Sequence, residues 1–175
     1  GYLDDVELRF PKAFDGEISK HATKHKISPA WAQAIARRES SFMPDAQSGV
    51  GARGLMQIMP GTAKQLKRGK KVSRSYLFNA ENNIKLGTKY LRVLLDKNKG
   101  NHVLATASYN AGPYRIKRWL RDAEPMPADI WIEAIPFQET RNYVKSVLAY
   151  QEIYQHQPTQ VSSIFNDVIH MSIGK

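Results

Sequence analysis

The chain has 175 residues, 42% of them hydrophobic, with 26 Lys and Arg against 16 Asp and Glu, a net charge of +10, and no cysteine. This balance excludes a disordered chain, a disulfide scaffold, thiol catalysis and every thiolate metal site. No apolar run approaches the ~18 residues of a membrane span, and the opening GYLDDVELRF has neither the basic nor the apolar stretch of a signal peptide, so a soluble, processed or excised chain is expected.

The charge is uneven. Asp4, Asp5, Glu7, Asp15 and Glu17 lie in the opening stretch, whereas Ile18 to Leu104 holds 17 bases against four acids. Periodicity is helical almost throughout, with no long alternating β-branched run, so the fold class is mainly α. Residues 1–22 read as an N-terminal connector, 23–157 as one catalytic-sized domain and 158–175 as a C-terminal extension. An acidic leader on a basic domain also suits docking against a neighbouring domain outside this chain.

In chain order, Ser28-Pro29 pairs an N-cap with a first-turn proline and opens a helix through Trp31, Ala34, Ile35 and Glu39 that Pro44 ends. Gly49 to Gly61 holds four glycines in thirteen residues and reads as a loop with short helical pieces. Lys64 to Arg74 is the densest basic piece and has no interleaved aromatics for stacking on bases, so it reads as a solvated face and nucleic acid is not an expected partner. Asn79 caps a core helix from about Ala80 to Asn98, with Ile84, Gly87, Leu91 and Leu94 on one face and Gly100 beyond its end. Asn101 caps a second apolar helix, His102 to Ala111, that stops at Gly112-Pro113, and Tyr114 to Arg121 reads as a short basic amphipathic helix. A short segment, Ile130 to Ile135, precedes a long helix from about Gln138 to His156 with Val144, Val147, Leu148 and Tyr154 inward.

Glu39 is the carboxylate best placed for chemistry. Ala32, Ile35, Ala36 and Glu39 recur at helical spacing, so the acid stands beside a small, apolar stripe near the helix C-terminus. Burial and the negative dipole end both favour the protonated form, as a general acid at neutral pH requires. The competing reading, an ion pair with Arg37 or Arg38 that merely closes the helix, is the more usual outcome on pattern alone. Gln57, Tyr109 and Asn110, set in apolar surroundings, supply amides and a phenol suited to sugar hydroxyls and N-acetyl groups. Only His21 and His25 stand at helical ligand spacing, with no carboxylate set nearby, so no metal and no cofactor are expected.

Four ordered motifs then carry a resemblance: Ala36-Arg-Arg-Glu-Ser-Ser-Phe42, Ser48-Gly-Val-Gly-Ala-Arg-Gly-Leu-Met-Gln-Ile-Met-Pro-Gly-Thr62, Ser108-Tyr-Asn-Ala-Gly-Pro113 and Ile135-Pro-Phe-Gln-Glu-Thr-Arg-Asn-Tyr-Val144. Together they closely resemble the catalytic domain of the soluble lytic transglycosylases of bacteria, over most of the chain up to about Tyr154. Glu7-Leu-Arg-Phe-Pro11 resembles the segment that leads into this domain in large multidomain members, which implies N-terminal domains outside this chain.

The resemblance implies a lysozyme-like fold and non-hydrolytic cleavage of the β-1,4 bond between N-acetylmuramic acid and N-acetylglucosamine in peptidoglycan, and a monomer in the periplasm is expected. Glu39 is implied as the sole catalytic carboxylate, first protonating the glycosidic oxygen and then taking the proton of the muramyl C6 hydroxyl, to leave a 1,6-anhydro end. By the same resemblance Ser48, Gly54, Gln57 and Met59 line sugar or stem-peptide subsites, Tyr109 and Asn110 stand near the reacting muramyl ring, Glu139 binds substrate and Tyr143 follows one turn on. The residues alone also allow local roles: Gly54 serving only its turn, Met59 filling core, Glu139 stabilising a helix start. Asp45 is the one nearby rival carboxylate, and a loop Asp just past a helix reads as a cap or turn residue. Two sequence departures from the family pattern are Tyr114, where a small residue is common, and the basic stretch between Thr62 and Asn79, which suits the carboxylates of stem peptides. A lysozyme-type hydrolase on the same fold and a non-catalytic wall-binding module stay open as alternatives.

Overall fold

The computed structural model describes residues 9–121 and 124–156 and the backbone of residues 172 and 173. The chain divides into two units, Gly1–Arg92 and Val93–Lys175. Most of the expected 158–175 extension, and the Glu7-Leu-Arg start of the expected lead-in, lie outside the described residues.

The first unit opens with α1, Asp15–Lys24, which buries Ile18 and Ala22 and lies across the expected end of the connector at residue 22. It packs on α2, Pro29–Ser40, and Gln33 on α2 reaches back to donate Nε2 to the Ala13 carbonyl at 2.9 Å. α2 starts as its sequence foretells: Ser28 Oγ accepts from the Trp31 N–H at 3.3 Å, and Pro29 needs no hydrogen-bond acceptor in the first turn. Its end differs from expectation. The helix stops at Ser40, not at Pro44, because Ser41 and Phe42 both turn left-handed, at φ 52° and 65°, and the Ser41 N–H closes back on the Arg37 carbonyl. Burial of Phe42 secures the reversal.

Of the helical pieces expected between Gly49 and Gly61, none lies before Pro60, where the next helix begins. That segment is a chain of turns tied by isolated bridges, Gln47 to Arg53 and Arg53 to Ile58. Helices α3, Pro60–Leu66, and α4, Arg74–Phe78, follow on either side of the basic loop and were not anticipated from the sequence. α5, Ala80–Lys97, is capped by Asn79, whose Oδ1 accepts from the Asn82 N–H. Its face meets the unit through His25 Nδ1 to Thr88 Oγ1 at 2.9 Å, Lys89 Nζ to the Leu66 carbonyl at 2.7 Å and Arg92 to the Lys26 carbonyl.

In the second unit α6, His102–Ala111, is capped by Asn101, and α7, Pro113–Leu120, follows after Gly112 at φ 88°. α8, Ala128–Ala134, and α9, Gln138–Gln155, complete it, with a two-residue antiparallel pair of β1, Met126–Pro127, and β2, Ser172–Ile173. Val103, Leu104, Ala107, Ile116, Trp131, Val144 and Leu148 belong to one buried apolar cluster drawn from α6 to α9. Val144, Val147, Leu148 and Tyr154 all point inward, as the 3.6-residue period requires. The fold is mainly α.

Candidate active site

Glu39 occupies the last turn of α2 and is half-buried. Its neighbour Ser40 fixes that turn, since the buried Ser40 Oγ donates to the Leu55 carbonyl at 2.7 Å and so ties the end of α2 to the glycine-rich loop. The loop itself is irregular backbone, and its polar groups are satisfied locally. The Ser48 N–H donates to the Ala52 carbonyl at 3.0 Å, and its Oγ accepts from the Ala52 N–H at 3.0 Å.

Gly54 holds the tightest place. It sits at φ 76°, donates its N–H to the Ala46 carbonyl at 2.8 Å, and leaves no room for a Cβ, which would run into the Leu77 carbonyl and the Asn83 amide. Asn83, fully buried on α5, is the pin behind it. Its Oδ1 accepts from the Met56 N–H at 2.7 Å, while Nδ2 donates to the Arg53 and Leu77 carbonyls at 2.8 and 2.7 Å. Met56 in turn lies against Gly87, where a side chain would strike it.

Gln57 is drawn into this framework by its amide nitrogen, which donates to the Gly54 and Ala46 carbonyls at 2.8 and 3.0 Å. With Nε2 used twice, Oε1 is the atom of that amide with no protein partner among the described residues, so Gln57 can offer a ligand an acceptor. Gln57 pays for this posture with a left-handed backbone at φ 47°.

A cavity of about 330 Å³ opens here, and Glu39, Ser40, Gln47, Ser48 and Gln57 are among the residues that line it. Of the expected residues it therefore brings together Glu39, Ser48 and Gln57. Gly54 is set behind the wall as its backbone anchor, and Met59 stands at the start of α3, 40% exposed, outside the lining. Asp45 is exposed and is likewise outside the lining. Among the described residues that line the cavity, Glu39 is the one acid.

In the second unit Tyr109 and Asn110 are half-buried on the last turn of α6. Asn110 Oδ1 accepts from Thr140 Oγ1 at 2.7 Å, which leaves its Nδ2 as the donor without a protein partner among the described residues. This bond joins the Ser-Tyr-Asn-Ala-Gly-Pro and Glu-Thr-Arg motifs. Glu139 is exposed in the first turn of α9, and Tyr143 is only 2% exposed. Arg141 closes the corner by donating Nε and Nη2 to the Ile135 carbonyl.

Three residues that matter to this geometry were missed from sequence: Asn83, Gln47 and Thr140. Thr140 lay inside a quoted motif, and Asn83 stands four residues before Gly87 on the same helix face. Nothing local marked Gln47.

Residues 17–132 match the family described as Transglycosylase SLT domain. The chain belongs to this family. Residues 134–163 match the soluble lytic transglycosylase helical domain. Among curated proteins, the soluble lytic murein transglycosylase of Salmonella typhimurium is 41% identical over 169 residues, covering 94% of this chain and 26% of that protein. Among solved structures, an inactive glutamate-to-glutamine mutant of the lytic transglycosylase Slt from Pseudomonas aeruginosa superposes with a TM-score of 0.82 at 47% identity, covering 87% of this chain and 25% of that one. The 70 kDa soluble lytic transglycosylase of Escherichia coli matches with a TM-score of 0.82 at 41% identity, covering 86% and 25%. The transglycosylase domain thus has the expected lysozyme-like fold, and the chain spans about a quarter of the length of the relatives it matches. No helix among the described residues is long and apolar enough to cross a membrane.

Proposed function

We propose that this chain is the catalytic region of a periplasmic lytic transglycosylase, one part of a longer protein that acts on peptidoglycan without metal or cofactor. Glu39 protonates the β-1,4 glycosidic oxygen between N-acetylmuramic acid and N-acetylglucosamine. As carboxylate it then removes the proton of the muramyl C6 hydroxyl, whose oxygen closes on C1. The bond to the leaving sugar breaks, the C6–O–C1 bond forms, the proton balance closes on Glu39, and no water enters the product.

The observation that carries this reading is the cavity with one acid. A hydrolase of the ordinary kind needs a second carboxylate about 5 to 9.5 Å away, to attack the sugar or to activate water. The lining around Glu39 offers amides and hydroxyls instead. Gln57 Oε1 suits a sugar O–H or N-acetyl N–H and Ser48 has a hydroxyl proton to give; in the second unit, Asn110 Nδ2 is a donor suited to a sugar oxygen. Tyr109 stacks or donates beside Asn110, Met59 and Tyr143 shape neighbouring subsites, and Glu139 binds substrate from the start of α9. Gly54 works through its backbone, by holding Gln57. The family relationship supports the same chemistry, including a relative described as inactive with one glutamate changed to glutamine.

The test is the mass of the product from purified sacculi, together with Glu39→Gln. Muropeptides one water lighter than hydrolysis products are expected, at a rate that falls by at least about 10³-fold in the variant while its melting temperature holds. Reducing muramic ends in place of anhydro ends support a hydrolase and overturn the transglycosylase reading. Full activity in Glu39→Gln removes Glu39 from the chemistry.

A further inference from the structure

Between Lys64 and Arg74 the chain carries six cations and no acid: Lys64, Lys67, Arg68, Lys70, Lys71 and Arg74. Elsewhere in the protein Lys20 meets Glu81 and Lys145 meets Glu133. Among the described residues none of these six meets a carboxylate. Part of this has a local cause, because Lys64 and Lys67 lie at the C-terminal end of α3, where the helix dipole favours positive charge. Lys70, Lys71 and Arg74 lie past the helix and have no such reason.

The strip is also built. Arg68 at φ 53° and Gly69 at φ 85° make a capped turn, with the Gly69 N–H on the Lys64 carbonyl at 2.8 Å and the Lys70 N–H on the Lys67 carbonyl. Lys67 lies 4.9 Å from the Tyr76 ring centre and donates to its hydroxyl. At the far end Arg74 rests 5.3 Å from the Phe78 ring centre and donates Nη2 to Gln47 Oε1 at 2.9 Å. Gln47 lines the Glu39 cavity. One end of the positive strip, Arg74, therefore touches a lining residue of the cavity and is the positioning residue for Gln47.

We infer that this strip recognises the free carboxylates of the stem peptide carried by the bound muramyl unit, and so makes the site selective for ionised over amidated peptides. The inference rests on the peptidoglycan reading above. Charge complementarity decides the occupant, since a neutral glycan gives six uncompensated cations nothing to do, whereas a peptide leaving the lactyl group of a sugar in the cavity brings its carboxylates to the adjoining surface. The screening length of about 8 Å at physiological salt keeps the effect local to this wall.

The experiment compares glycan strands carrying stem peptides with free carboxylates and the same strands with those carboxylates amidated, using the wild-type chain and Lys64→Gln/Arg68→Gln/Lys70→Gln/Lys71→Gln. All four side chains are exposed, and Arg74 is left to hold Gln47. The wild type is expected to favour the free-carboxylate strands by roughly five- to ten-fold in kcat/KM at low salt, through KM, with the preference fading as salt rises. The fourfold variant is expected to treat both strands alike and to cleave the amidated ones at the wild-type rate. The milder Lys70→Gln/Lys71→Gln pair gives the same comparison should the larger change disturb folding. No preference in the wild type, or an equal loss on both strands, overturns the inference. Titration of the isolated stem tripeptide, free and amidated, separates the two claims: if neither strand is cleaved the proposed function fails, and selective tripeptide binding lost in the variant still supports the strip, while equal binding refutes it. Tighter, charge-dependent capture by phosphatidylglycerol vesicles, with no discrimination between the peptides, assigns the strip to a membrane surface and likewise overturns the inference.

Discussion

The wall around Glu39 and the corner around Asn110 hold their polar groups by opposite means. The wall, Ala46 to Met59, is irregular backbone, and side-chain amides and hydroxyls from Ser40, Ser48, Gln57 and Asn83 satisfy it. The corner sits on two helices, α6 and α9, that the apolar cluster of Val103, Ala107, Val144 and Leu148 already fixes, and one hydrogen bond finishes it. Where backbone must wander, a buried polar side chain specifies the shape. Where helices pack, apolar volume does so and a polar contact only trims a rotamer.

The largest expected effect attacks the wall. Asn83→Ala strands the Met56 N–H and the Arg53 and Leu77 carbonyls without their partner and opens a void behind Gly54. Leaving buried polar groups unpaired costs about 1–3 kcal/mol each at most, partly relieved by water, so a loss of about 3 kcal/mol is expected. Urea unfolding measures it, and kcat/KM is expected to fall by about tenfold or more as Gln57 loses its fixed backbone. A loss below about 1 kcal/mol contradicts the idea that a buried amide shapes this wall.

Thr140→Val is the matching change in the corner. It keeps the branched shape and removes only the hydroxyl that Asn110 Oδ1 accepts from, on helices that stay packed. About 1 kcal/mol is expected, with a several-fold drop in kcat/KM because the Asn110 amide is free to turn. A cost equal to that of Asn83→Ala erases the distinction between the two regions.

The same distinction explains what the sequence makes legible. Helices α2, α5 and α6 follow from period and caps, because Ser28, Asn79 and Asn101 are local signals whose cap bonds form within three residues, and α9, which has no side-chain cap, follows from its period alone. The four glycines mark an irregular segment, but not its course, since the course depends on Asn83 some 27 residues from the amide it holds. α2 overshoots in the sequence reading because Pro44 is a visible stop, whereas the left-handed pair Ser41-Phe42 is enforced by burial of Phe42. Glu39, Ser48 and Gln57 are readable as a group from their motifs. The share of Gly54 in that group, as an anchor behind the wall, appears only when the absent Cβ is seen to face Leu77 and Asn83.

The smallest expected effect asks whether the polar-pinned unit is also the acid-labile one. His21 is 5% exposed, and neither ring nitrogen has a hydrogen-bond partner, Glu81 Oε1 lying 3.7 Å from Nε2. His25 lies four residues on; because Thr88 Oγ1 already donates to the Ile84 carbonyl, the His25 ring donates to Thr88 through Nδ1. Desolvation by burial lowers both pKa values below the ordinary 6.5, helped by Lys20 and Lys85 around His21 and by His21, Lys24 and Lys89 around His25, against the opposing pull of Glu81 on His21. The unfolded chain therefore takes up these protons first as pH falls. Stability from this source is complete above about pH 6.5, declines as pH drops from there toward the lowered folded-state values, and is flat below them. The Glu81 carboxyl, held low chiefly by its hydrogen bond and charge interaction with Lys20, adds its own loss only below its ordinary 4.5, so the two windows separate. Thermal melts at pH 7.5 and 5.0 are expected to show a lower melting temperature in acid, and His21→Gln/His25→Gln is expected to flatten that difference. Hydrogen exchange places the effect: protection is expected to fall in α1 and α5 before it falls in α6 and α9, whose shared cluster has no ionisable member. Simultaneous loss in all four helices sinks the contrast, because acid then acts on the chain as a whole and not through the two imidazoles.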